Sequence, residues 1–441
     1  MNTPHRWMSL IATVRRLTAV TCVFLAAALT LTGCAEQVLD PDAAQVPDNP
    51  LFKKCPSPPC GGGGEDPATP IVFNDVQPAN ARSQGAITCG LDVQGKAYCW
   101  GWNGYRTLGI GNKKGNRIRV PTPVLGGHTF HVISVGFHHT CGIKDEGNGE
   151  EVGPVYCWGN NDYGQVGNGS PDMIVPEPVP VSGSMVFRRI SSGGHHTCGT
   201  EHIAGSDAGP AYCWGINDRG QLGNGSTSSF ELEPVPVAGN MIFRTVVAGF
   251  YSTCAITEAD EAFCWGDNRE AQLANGTVGG FSAVPVPASG GRRFEDLAIE
   301  YWSACGLTAV GDIADPGTIL CWGDASKGGP SVPTPLDLGG VADEPFKSLT
   351  ASYCAIGASD QAYCWAGNEY GQLGNGTYGG ISAVPVPVET PRFFSSIGGK
   401  GVHTCGIALD GFAYCWGWNY YGELGDGTTN FSDVPVKVAR Q

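Results

Sequence analysis

The sequence predicts an all-β fold built from seven copies of one short repeat. The dipeptide Cys-Trp recurs seven times at intervals of 43 to 58 residues, and a repeat of about 50 residues has room for four short strands with their turns. The chain of 441 residues contains 66 glycines and 31 prolines, and it shows no long helical periodicity. Many short strands in a radial array of small sheets would satisfy both observations. The repeated tryptophans are Trp100, Trp158, Trp214, Trp265, Trp322, Trp365 and Trp416.

Residues 1–33 are predicted to be a lipoprotein signal peptide. Three arginines without an acid precede an apolar run, Leu17–Leu31, which is short for a transmembrane helix. The segment Leu31-Thr32-Gly33-Cys34 resembles the lipobox of bacterial lipoproteins. That resemblance implies cleavage before Cys34 and a diacylglycerol on its thiol. An ordinary secretory cleavage is the alternative.

Residues 34–70 are predicted to be a linker that carries the lipidated cysteine. The segment is rich in proline and ends in four consecutive glycines, Gly61–Gly64, which is typical of a flexible spacer. Cys55 and Cys60 lie within it, and no histidine or further cysteine flanks them. A local disulfide therefore fits an oxidising compartment better than a metal site.

The last repeat shows the full pattern of the third region, residues 71–441. It contains His403-Thr404-Cys405-Gly406, then Tyr414-Cys415-Trp416-Gly417, and then Asn419, Gly422 and Leu424-Gly425. This pattern resembles the regulator of chromosome condensation repeat family. The resemblance implies a seven-bladed β-propeller with four-stranded antiparallel blades. It implies no single activity, because members exchange nucleotide on a small GTPase, inhibit a secreted enzyme or bind partners. The expected repeats are 71–126, 127–183, 184–239, 240–290, 291–340, 341–390 and 391–441.

Fourteen cysteines remain as two per repeat, and we expect a hairpin disulfide in each. The expected pairs are Cys89–Cys99, Cys141–Cys157, Cys198–Cys213, Cys254–Cys264, Cys305–Cys321, Cys354–Cys364 and Cys405–Cys415. The ten-residue spacing predicts a three-residue loop whose third residue adopts positive φ. The four short hairpins have Gly95, Asp260, Asp360 and Gly411 at that place.

The same register places each cysteine pair at a position without mutual hydrogen bonds, where strands approach closely. It also places Gly90 opposite Tyr98, and we expect the small residue to make room for the facing aromatic ring. Both faces of the hairpin are apolar, so the repeated tryptophan is predicted to be core. Repeat five lacks the Asn-x-x-Gly-Gln-Leu-Gly segment after Trp322, which predicts a trimmed loop.

Two groups of potential metal ligands occur in the sequence, and each has a structural alternative. The acidic hairpin insertion from Asp145 to Glu151 could bind calcium, but it lacks the spaced carboxylates of an EF-hand loop, so a solvated loop is preferred. His138-His139, His195-His196 and His403 could suggest zinc. Because they recur with the repeat, a role in holding the repeat together is preferred, and no metal or cofactor is expected.

Net charge argues against nucleic acid as a partner. The whole chain carries −15, and loss of the three signal arginines leaves 23 basic and 41 acidic residues, a charge of −18. Such a protein repels phosphate backbones. Export and acidity also disfavour nucleotide exchange on a cytosolic GTPase.

We therefore expect a monomeric cell-envelope lipoprotein at the outer membrane, held by its lipid anchor and binding a protein or glycan. The alternative is a propeller enzyme, a lyase or hydrolase acting on an envelope or extracellular polymer, but no catalytic constellation stands out from the repeat. The residues after each Trp-Gly should emerge on one face, and those of repeats one and seven should meet where the ring closes. The expected binding residues are Trp102, Tyr105, Arg106, Trp418, Tyr420 and Tyr421, extended by Tyr163, Arg219 and Tyr370.

Overall fold

The computed structural model describes residues 71–79, 86–111, 117–340, 344–350 and 353–439, which lie in one compact unit. The predicted signal peptide and linker, with Cys34 and the expected pair of Cys55 and Cys60, fall outside the described residues. No helix within these ranges is long and apolar enough to cross a membrane.

Twenty-eight strands are described, four in each predicted repeat range. The first repeat contains β1 (Phe73–Ala79), β2 (Ile87–Asp92), β3 (Ala97–Trp102) and β4 (Arg117–Pro123). The second contains β5 (Phe130–Val135), β6 (His139–Lys144), β7 (Val155–Asn160) and β8 (Ile174–Pro180). The third contains β9 (Phe187–Ser192), β10 (His196–Glu201), β11 (Gly209–Ile216) and β12 (Phe230–Pro236).

The remaining four repeats follow the same plan. The fourth contains β13 (Ile242–Ala248), β14 (Ser252–Thr257), β15 (Ala262–Asp267) and β16 (Phe281–Pro287). The fifth contains β17 (Phe294–Ile299), β18 (Ser303–Thr308), β19 (Ile319–Gly323) and β20 (Thr334–Pro335). The sixth contains β21 (Phe346–Thr350), β22 (Cys354–Gly357), β23 (Ala362–Gly367) and β24 (Ile381–Pro387), and the seventh contains β25 (Phe394–Gly399), β26 (His403–Ala408), β27 (Ala413–Gly417) and β28 (Ser432–Lys437).

Each group of four consecutive strands forms one antiparallel blade, so the predicted propeller is confirmed. The first strands of neighbouring blades contact one another around the ring, and β1 contacts β25. The first strand of every blade therefore lies innermost. Blades three and four are also joined by a short pairing of β11 with β13. No blade takes a strand from another repeat within the described residues, so the ring closes by packing rather than by strand exchange.

Seven hydrophobic clusters hold the ring together, one between each pair of neighbouring blades. The repeated tryptophans are buried in these clusters, as predicted. The cluster that closes the ring joins Phe73 and Trp100 of blade one to Cys405, Cys415 and other residues of blade seven. Burial of apolar surface therefore stabilises every interface between blades, including the interface between blades seven and one that closes the ring.

The hairpins between the second and third strands follow the predicted register. All seven expected disulfides are present, with Cα–Cα distances of 4.0 to 4.1 Å. The third loop residues Gly95, Asp260, Asp360 and Gly411 have φ of 78°, 63°, 70° and 80°. Both results follow from the register of these hairpins. In blade one, Leu91 lies opposite Ala97, which places Cys89 opposite Cys99 and leaves a short turn between the strands.

The expected reason for the small residue at position 90 is wrong. A Cβ on Gly90 would lie 2.8 Å from the ring of Phe73 on the inner strand, not against Tyr98. The equivalent Cβ on Gly406 would meet Phe394 at 2.7 Å. The glycine therefore accommodates the phenylalanine that begins the innermost strand of the blade, a contact that the hairpin register alone does not contain.

Blade five is trimmed where the sequence predicts it. Its outer strand β20 has two residues, and a short 3₁₀ turn, Ala325–Lys327, replaces the longer loop of the other blades. Trp322 remains buried between blades four and five, where its indole donates to the Gln272 carbonyl at 2.9 Å. The missing segment therefore shortens the edge of the ring without opening its core.

Candidate functional site

Two sets of loops share one face of the propeller, which we call the upper face. Because the four strands of a blade are antiparallel and consecutive, the loops from first to second strand and from third to fourth strand leave the same end. The hairpins with the disulfides lie on the opposite, lower face. The chain also begins β1 at the lower face, so the described polypeptide enters the propeller on the side opposite the upper loops.

A buried asparagine shapes each long upper loop. In blade two, Asn161 Oδ1 accepts from the main-chain N–H of Val166 at 3.0 Å, and its amide donates to the carbonyls of Ser170 and Asp172. Asn217, Asn268, Asn368 and Asn419 make the corresponding bonds. These hydrogen bonds hold the loop around the asparagine side chain. The two residues that follow the asparagine therefore lie at the outer end of the loop.

Aromatic rings on the upper face form one connected set, which we call the aromatic array. Neighbouring rings lie 4.0 to 6.4 Å apart between centroids, the range of favourable edge and offset contacts. Every blade contributes at least one ring. The members are Trp102, Tyr105, Phe137, His138, Tyr163, His195, Phe250, Tyr251, Tyr301, Trp302, Tyr370, Trp418, Tyr420, Tyr421 and Phe431.

The structure brings together the five aromatic residues expected at the junction of blades one and seven. Trp102 contacts Tyr105 at 5.2 Å and Tyr421 at 6.4 Å. Tyr421 contacts Tyr420, which contacts Trp418. Tyr420 is 45% exposed, and the other four are partly exposed. We call these five residues the aromatic seam, and all of them lie on the upper face.

The other expected binding residues divide into two groups. Tyr370 joins the seam through Trp418 at 4.7 Å, and Tyr163 joins the array through His195 at 5.3 Å. Arg106 donates to the Asn103 carbonyl in its own loop, and Arg219 lies 3.8 Å from Asp218. Both arginines lie on the upper face.

Sequence reasoning missed the inner half of the array, which comes from the shorter upper loops. Phe137, Phe250 and Tyr301 meet at the centre of the ring, with Phe250 and Tyr301 stacked at 4.0 Å. All three lie three residues before the Thr-Cys or Ala-Cys of their repeat, a signal that the sequence contains. Blade five therefore contributes Tyr301 and Trp302 to the array although its longer loop is trimmed.

The histidines have two different roles. His139, His196 and His403 are buried and pair through Nε2 with Thr197, Thr253 and Thr88 of the following blade at 2.8 to 2.9 Å. This confirms the structural role that was preferred over zinc. His138 and His195, by contrast, belong to the array. Burial lowers the pKa of His138 to about 3 and also lowers that of His195, so both rings are neutral and stack as aromatic groups.

Each structural histidine is part of a repeated junction between blades. At the closing interface, the Thr88 hydroxyl and the Trp100 indole both donate to the Glu423 carbonyl at 2.8 Å. The hydroxyl therefore accepts from His403, which fixes the Nε2–H tautomer. Thr197 with Trp214, and Thr253 with Trp265, repeat this arrangement on the carbonyls of Gln165 and Gln221.

Lys400 crosses the centre of the ring beneath the array. Its Nζ donates to the carbonyls of Ser192 at 2.8 Å and Val135 at 3.3 Å, which belong to blades two and three. Burial lowers its pKa to about 8, and the nearby Glu300 opposes that change. With Phe137 and other residues, these two line a cavity of about 40 Å³. A cavity of that size has room for a water molecule.

Two arginines cover parts of the array from its edge. The Arg117 guanidinium lies 4.3 Å from the Tyr420 ring and 5.6 Å from the Tyr421 ring. Arg269 lies over Tyr251 and Trp302 and pairs with Asp267 at 2.7 Å. Neither was expected from the sequence. Aromatic rings with stacked arginines are the residue types that contribute most to protein–protein binding.

The acidic insertion of blade two uses its carboxylates locally. Asp145 Oδ1 accepts from the Gly147 N–H at 2.7 Å and lies 3.1 Å from His131 Nε2. Glu146 pairs with Lys144 at 2.8 Å. Over the ranges that the structure describes, no group of three or more His, Cys, Asp or Glu side chains is placed to hold a metal ion.

Comparison with known proteins follows the repeat pattern. A family model for the regulator of chromosome condensation (RCC1) repeat matches residues 94–143, 153–199, 208–256 and 410–440, and a second RCC1 repeat model matches 130–165 and 243–272. The chain is 26% identical over 381 residues to the ultraviolet-B receptor UVR8 of Arabidopsis thaliana, covering 85% of this chain and 73% of UVR8. It is 27% identical over 374 residues to the human E3 ubiquitin-protein ligase HERC2, of which it spans 7%.

Solved structures show the same fold. Human WBSCR16 superposes with a TM-score of 0.65 at 19% identity, covering 78% of this chain and 94% of that structure. The CRINKLY WD40 ectodomain of the Arabidopsis thaliana receptor kinase ACR4 superposes with a TM-score of 0.50 at 19% identity, covering 84% and 100%. At these identities the likeness concerns the fold alone.

Proposed function

The chain belongs to the regulator of chromosome condensation (RCC1) repeat family, and from that premise we propose that it is a binding protein whose upper face holds a protein partner. The observation that carries this proposal is the aromatic array, a connected set of rings to which all seven blades contribute. Partly exposed tryptophan and tyrosine rings offer a large contact area at low cost in side-chain entropy. An extended apolar surface of this kind on a soluble domain marks an interaction site.

The polar groups of the upper face favour a protein over a glycan. A bound glycan buries hydroxyl groups, and each of them needs a hydrogen-bond partner. The side-chain amides of the loop asparagines form hydrogen bonds within their own loops. The side-chain oxygens of the loop glutamines likewise accept main-chain N–H groups, as seen for Gln165, Gln221, Gln272 and Gln372. What the face offers instead is ring surface with arginines at its edge, which suits aliphatic and aromatic side chains.

Binding to envelope extracts tests the proposal. The variant Trp102→Ala with Trp418→Ala should lose at least about ten-fold in affinity, because each truncation at a hot spot costs about 2 kcal/mol or more. The matched control, Val93→Ala with Leu409→Ala, alters exposed residues on the lower-face hairpins of the same two blades and should bind normally. Digestion of the extract with protease should abolish capture. Equal capture by the seam variant and wild type would contradict the proposal, and capture that resists protease would identify a glycan.

We further propose that the protein is a cell-envelope lipoprotein, anchored through Cys34 and directed to the outer membrane. The support is the sequence Leu31–Cys34, together with seven hairpin disulfides that need an oxidising compartment. Cys34→Ser should release the protein from membrane fractions or block its processing. Unchanged membrane association of that variant would rule out the lipid anchor.

A further inference from the structure

One side chain under the aromatic seam departs from its counterparts in other blades. Four loops carry a glutamine four residues after the loop asparagine: Gln165, Gln221 and Gln272, which are buried, and Gln372, which is partly buried. Each glutamine Oε1 accepts the main-chain N–H of the residue two places earlier at 2.7 to 2.9 Å. In blade seven the same place is occupied by Glu423, which is fully buried.

The carboxylate of Glu423 accepts N–H groups from its own loop, from Ala86 of blade one and from the side chain of Trp418. Its Oε2 accepts the Tyr421 main-chain N–H at 2.8 Å, as the glutamines do. Its Oε1 accepts the indole N–H of Trp418 at 3.1 Å. In blade two the residue at the place of Trp418 is Asn160, whose carbonyl oxygen accepts from the Gln165 amide. A donor in blade seven thus replaces an acceptor, and a second acceptor oxygen replaces the amide nitrogen.

The two changes are chemically matched. A glutamine at position 423 would either present its NH₂ to the Trp418 N–H or turn it towards the Tyr421 N–H, and in both cases two donors would meet. A carboxylate satisfies both donors at once, and charge-assisted hydrogen bonds are the stronger kind. Glu423 is therefore suited to Trp418 in a way that the common residue of the repeat is not.

We propose that the Glu423 carboxylate is the positioning group of the aromatic seam, and that its protonation releases Trp418. This inference rests on the proposed binding function of the seam. Trp418 contacts Tyr370, Tyr420 and Phe431, and Tyr421 contacts Trp102, so one carboxylate orients the rings on both sides of the blade junction. A neutral acid is a weaker acceptor and carries its own donor, so it satisfies only one of the two N–H groups.

The surroundings of Glu423 place this protonation near neutrality. Burial raises its pKa to about 7, against hydrogen bonds from Tyr421, Ala86 and Trp418 that favour the charged form. Burial and hydrogen bonds, rather than a neighbouring charge, set this value. The titratable or charged side chains on the packed elements are Arg117 and Arg119 of β4, His403 of β26, and Tyr420, Tyr421 and Asp426 of its own loop.

Fluorine NMR of the full mature chain labelled with 5-fluorotryptophan tests the proposal without a partner. The Trp418 resonance is assigned by its absence from Trp418→Phe. In wild type it should shift with a midpoint at about pH 7, and in Glu423→Gln it should not titrate and should resemble the low-pH position. A Trp418 resonance that is constant across the neutral range in wild type would overturn the proposal, and that measurement needs no change at Glu423.

Two further variants separate positioning from general damage. Gln165→Glu puts a carboxylate at the same place in blade two, away from Trp418, and should leave the Trp418 titration unchanged. Trp418→Asn with Glu423→Gln recreates the Asn160–Gln165 pair and should restore the wild-type Tyr421 environment, read from the amide resonance of Tyr421. A Trp418 shift that persists unchanged in Glu423→Gln would assign the titration to another group and refute the role of Glu423.

The binding proposal and the Glu423 proposal can be refuted independently of each other. If the seam variant captures partner normally but Trp418 titrates as described, the seam is pH-responsive and is not the contact surface. If the seam binds the partner and Trp418 also titrates as described, capture of partner by wild type should weaken several-fold between pH 8 and pH 6. Capture by Glu423→Gln should then be weak at both pH values. Capture by wild type that is independent of pH, with a normal Trp418 titration, would show that release of Trp418 does not control binding.

Discussion

Positive φ at a hairpin position makes Gly411 sensitive to substitution. With φ at 80°, a β-branched side chain there is strained, whereas glycine is not. We expect Gly411→Val to lower the free energy of unfolding by about 1–2 kcal/mol. Leu409→Val, at an exposed place in the same hairpin, should change it by less than about 0.5 kcal/mol. Urea unfolding of both variants measures the difference, and equal losses would show that the backbone tolerates valine at 411.

Glu423 should make the stability of the protein depend on pH. Its pKa is about 7 in the folded protein and near 4.5 when unfolded, so between these values the folded state holds a proton that the unfolded chain has lost. The contribution to stability is therefore complete below about pH 4.5 and is lost as pH rises through 7, a change of roughly 3 kcal/mol.

Glu423→Gln removes this dependence. Relative to wild type, the variant should gain roughly 3 kcal/mol in free energy of unfolding at pH 8 compared with pH 5. Urea unfolding at the two pH values measures the double difference, in which effects of other titrating groups cancel. A difference between variant and wild type that is the same at both pH values would mean that Glu423 titrates normally.

The hairpin is the element that each disulfide secures. In blade four, Cys254 and Cys264 close a ten-residue separation, and Asp260 supplies the turn. Replacing both cysteines with serine should lower the free energy of unfolding by about 2–4 kcal/mol, mainly by freeing the unfolded chain. The equivalent change at Cys141 and Cys157, with a separation of 16, should cost a similar amount because the entropy varies slowly with loop length.

Mass spectrometry of the unreduced protein checks the pairing itself. Peptides should show seven bonds within repeats, and bonds between repeats or free thiols in the propeller would contradict the structure. Urea unfolding of the two double variants then checks the energy. A cost near zero for both would mean that the inter-blade clusters, rather than the hairpin bonds, dominate stability.

The whole ring depends on seven equivalent interfaces, and the last one should be no weaker than the others. Trp100 closes the ring by donating to the Glu423 carbonyl at 2.8 Å, and Trp265 makes the same bond to Gln221 at 2.9 Å within the ring. Trp100→Phe and Trp265→Phe should each lower the free energy of unfolding by about 2–3 kcal/mol, and the two costs should agree within about 0.5 kcal/mol.

Thermal and urea unfolding of the two variants measure these costs. A much smaller cost for Trp100→Phe would show that the ring opens at the junction of the first and last blades before the rest unfolds. In that case the aromatic seam would be the most mobile part of the upper face. Equal costs would show that closure by packing alone is as effective as the contacts between blades that follow one another in sequence.

The sequence by itself determined the repeat, the strands, the hairpin register and the cysteine pairs. These features are local, because residues such as Cys89 and Cys99 face each other through a three-residue turn whose geometry the intervening residues set. The sequence also predicted that Trp102 and Trp418 would meet, since a closed ring makes the first and last blades neighbours. The terminal segment with Cys34 remains a prediction.

Only the tertiary structure decided what lies across a blade or between blades. The contact of Gly90 with Phe73, the pairing of His403 with Thr88 and the span of Lys400 to Ser192 join residues that no local pattern relates. Phe137, Phe250 and Tyr301 are separated by over 50 residues from one to the next, yet they meet because the innermost strands converge on one axis. That convergence is a property of the closed ring, and it brings scattered aromatic residues together on one face.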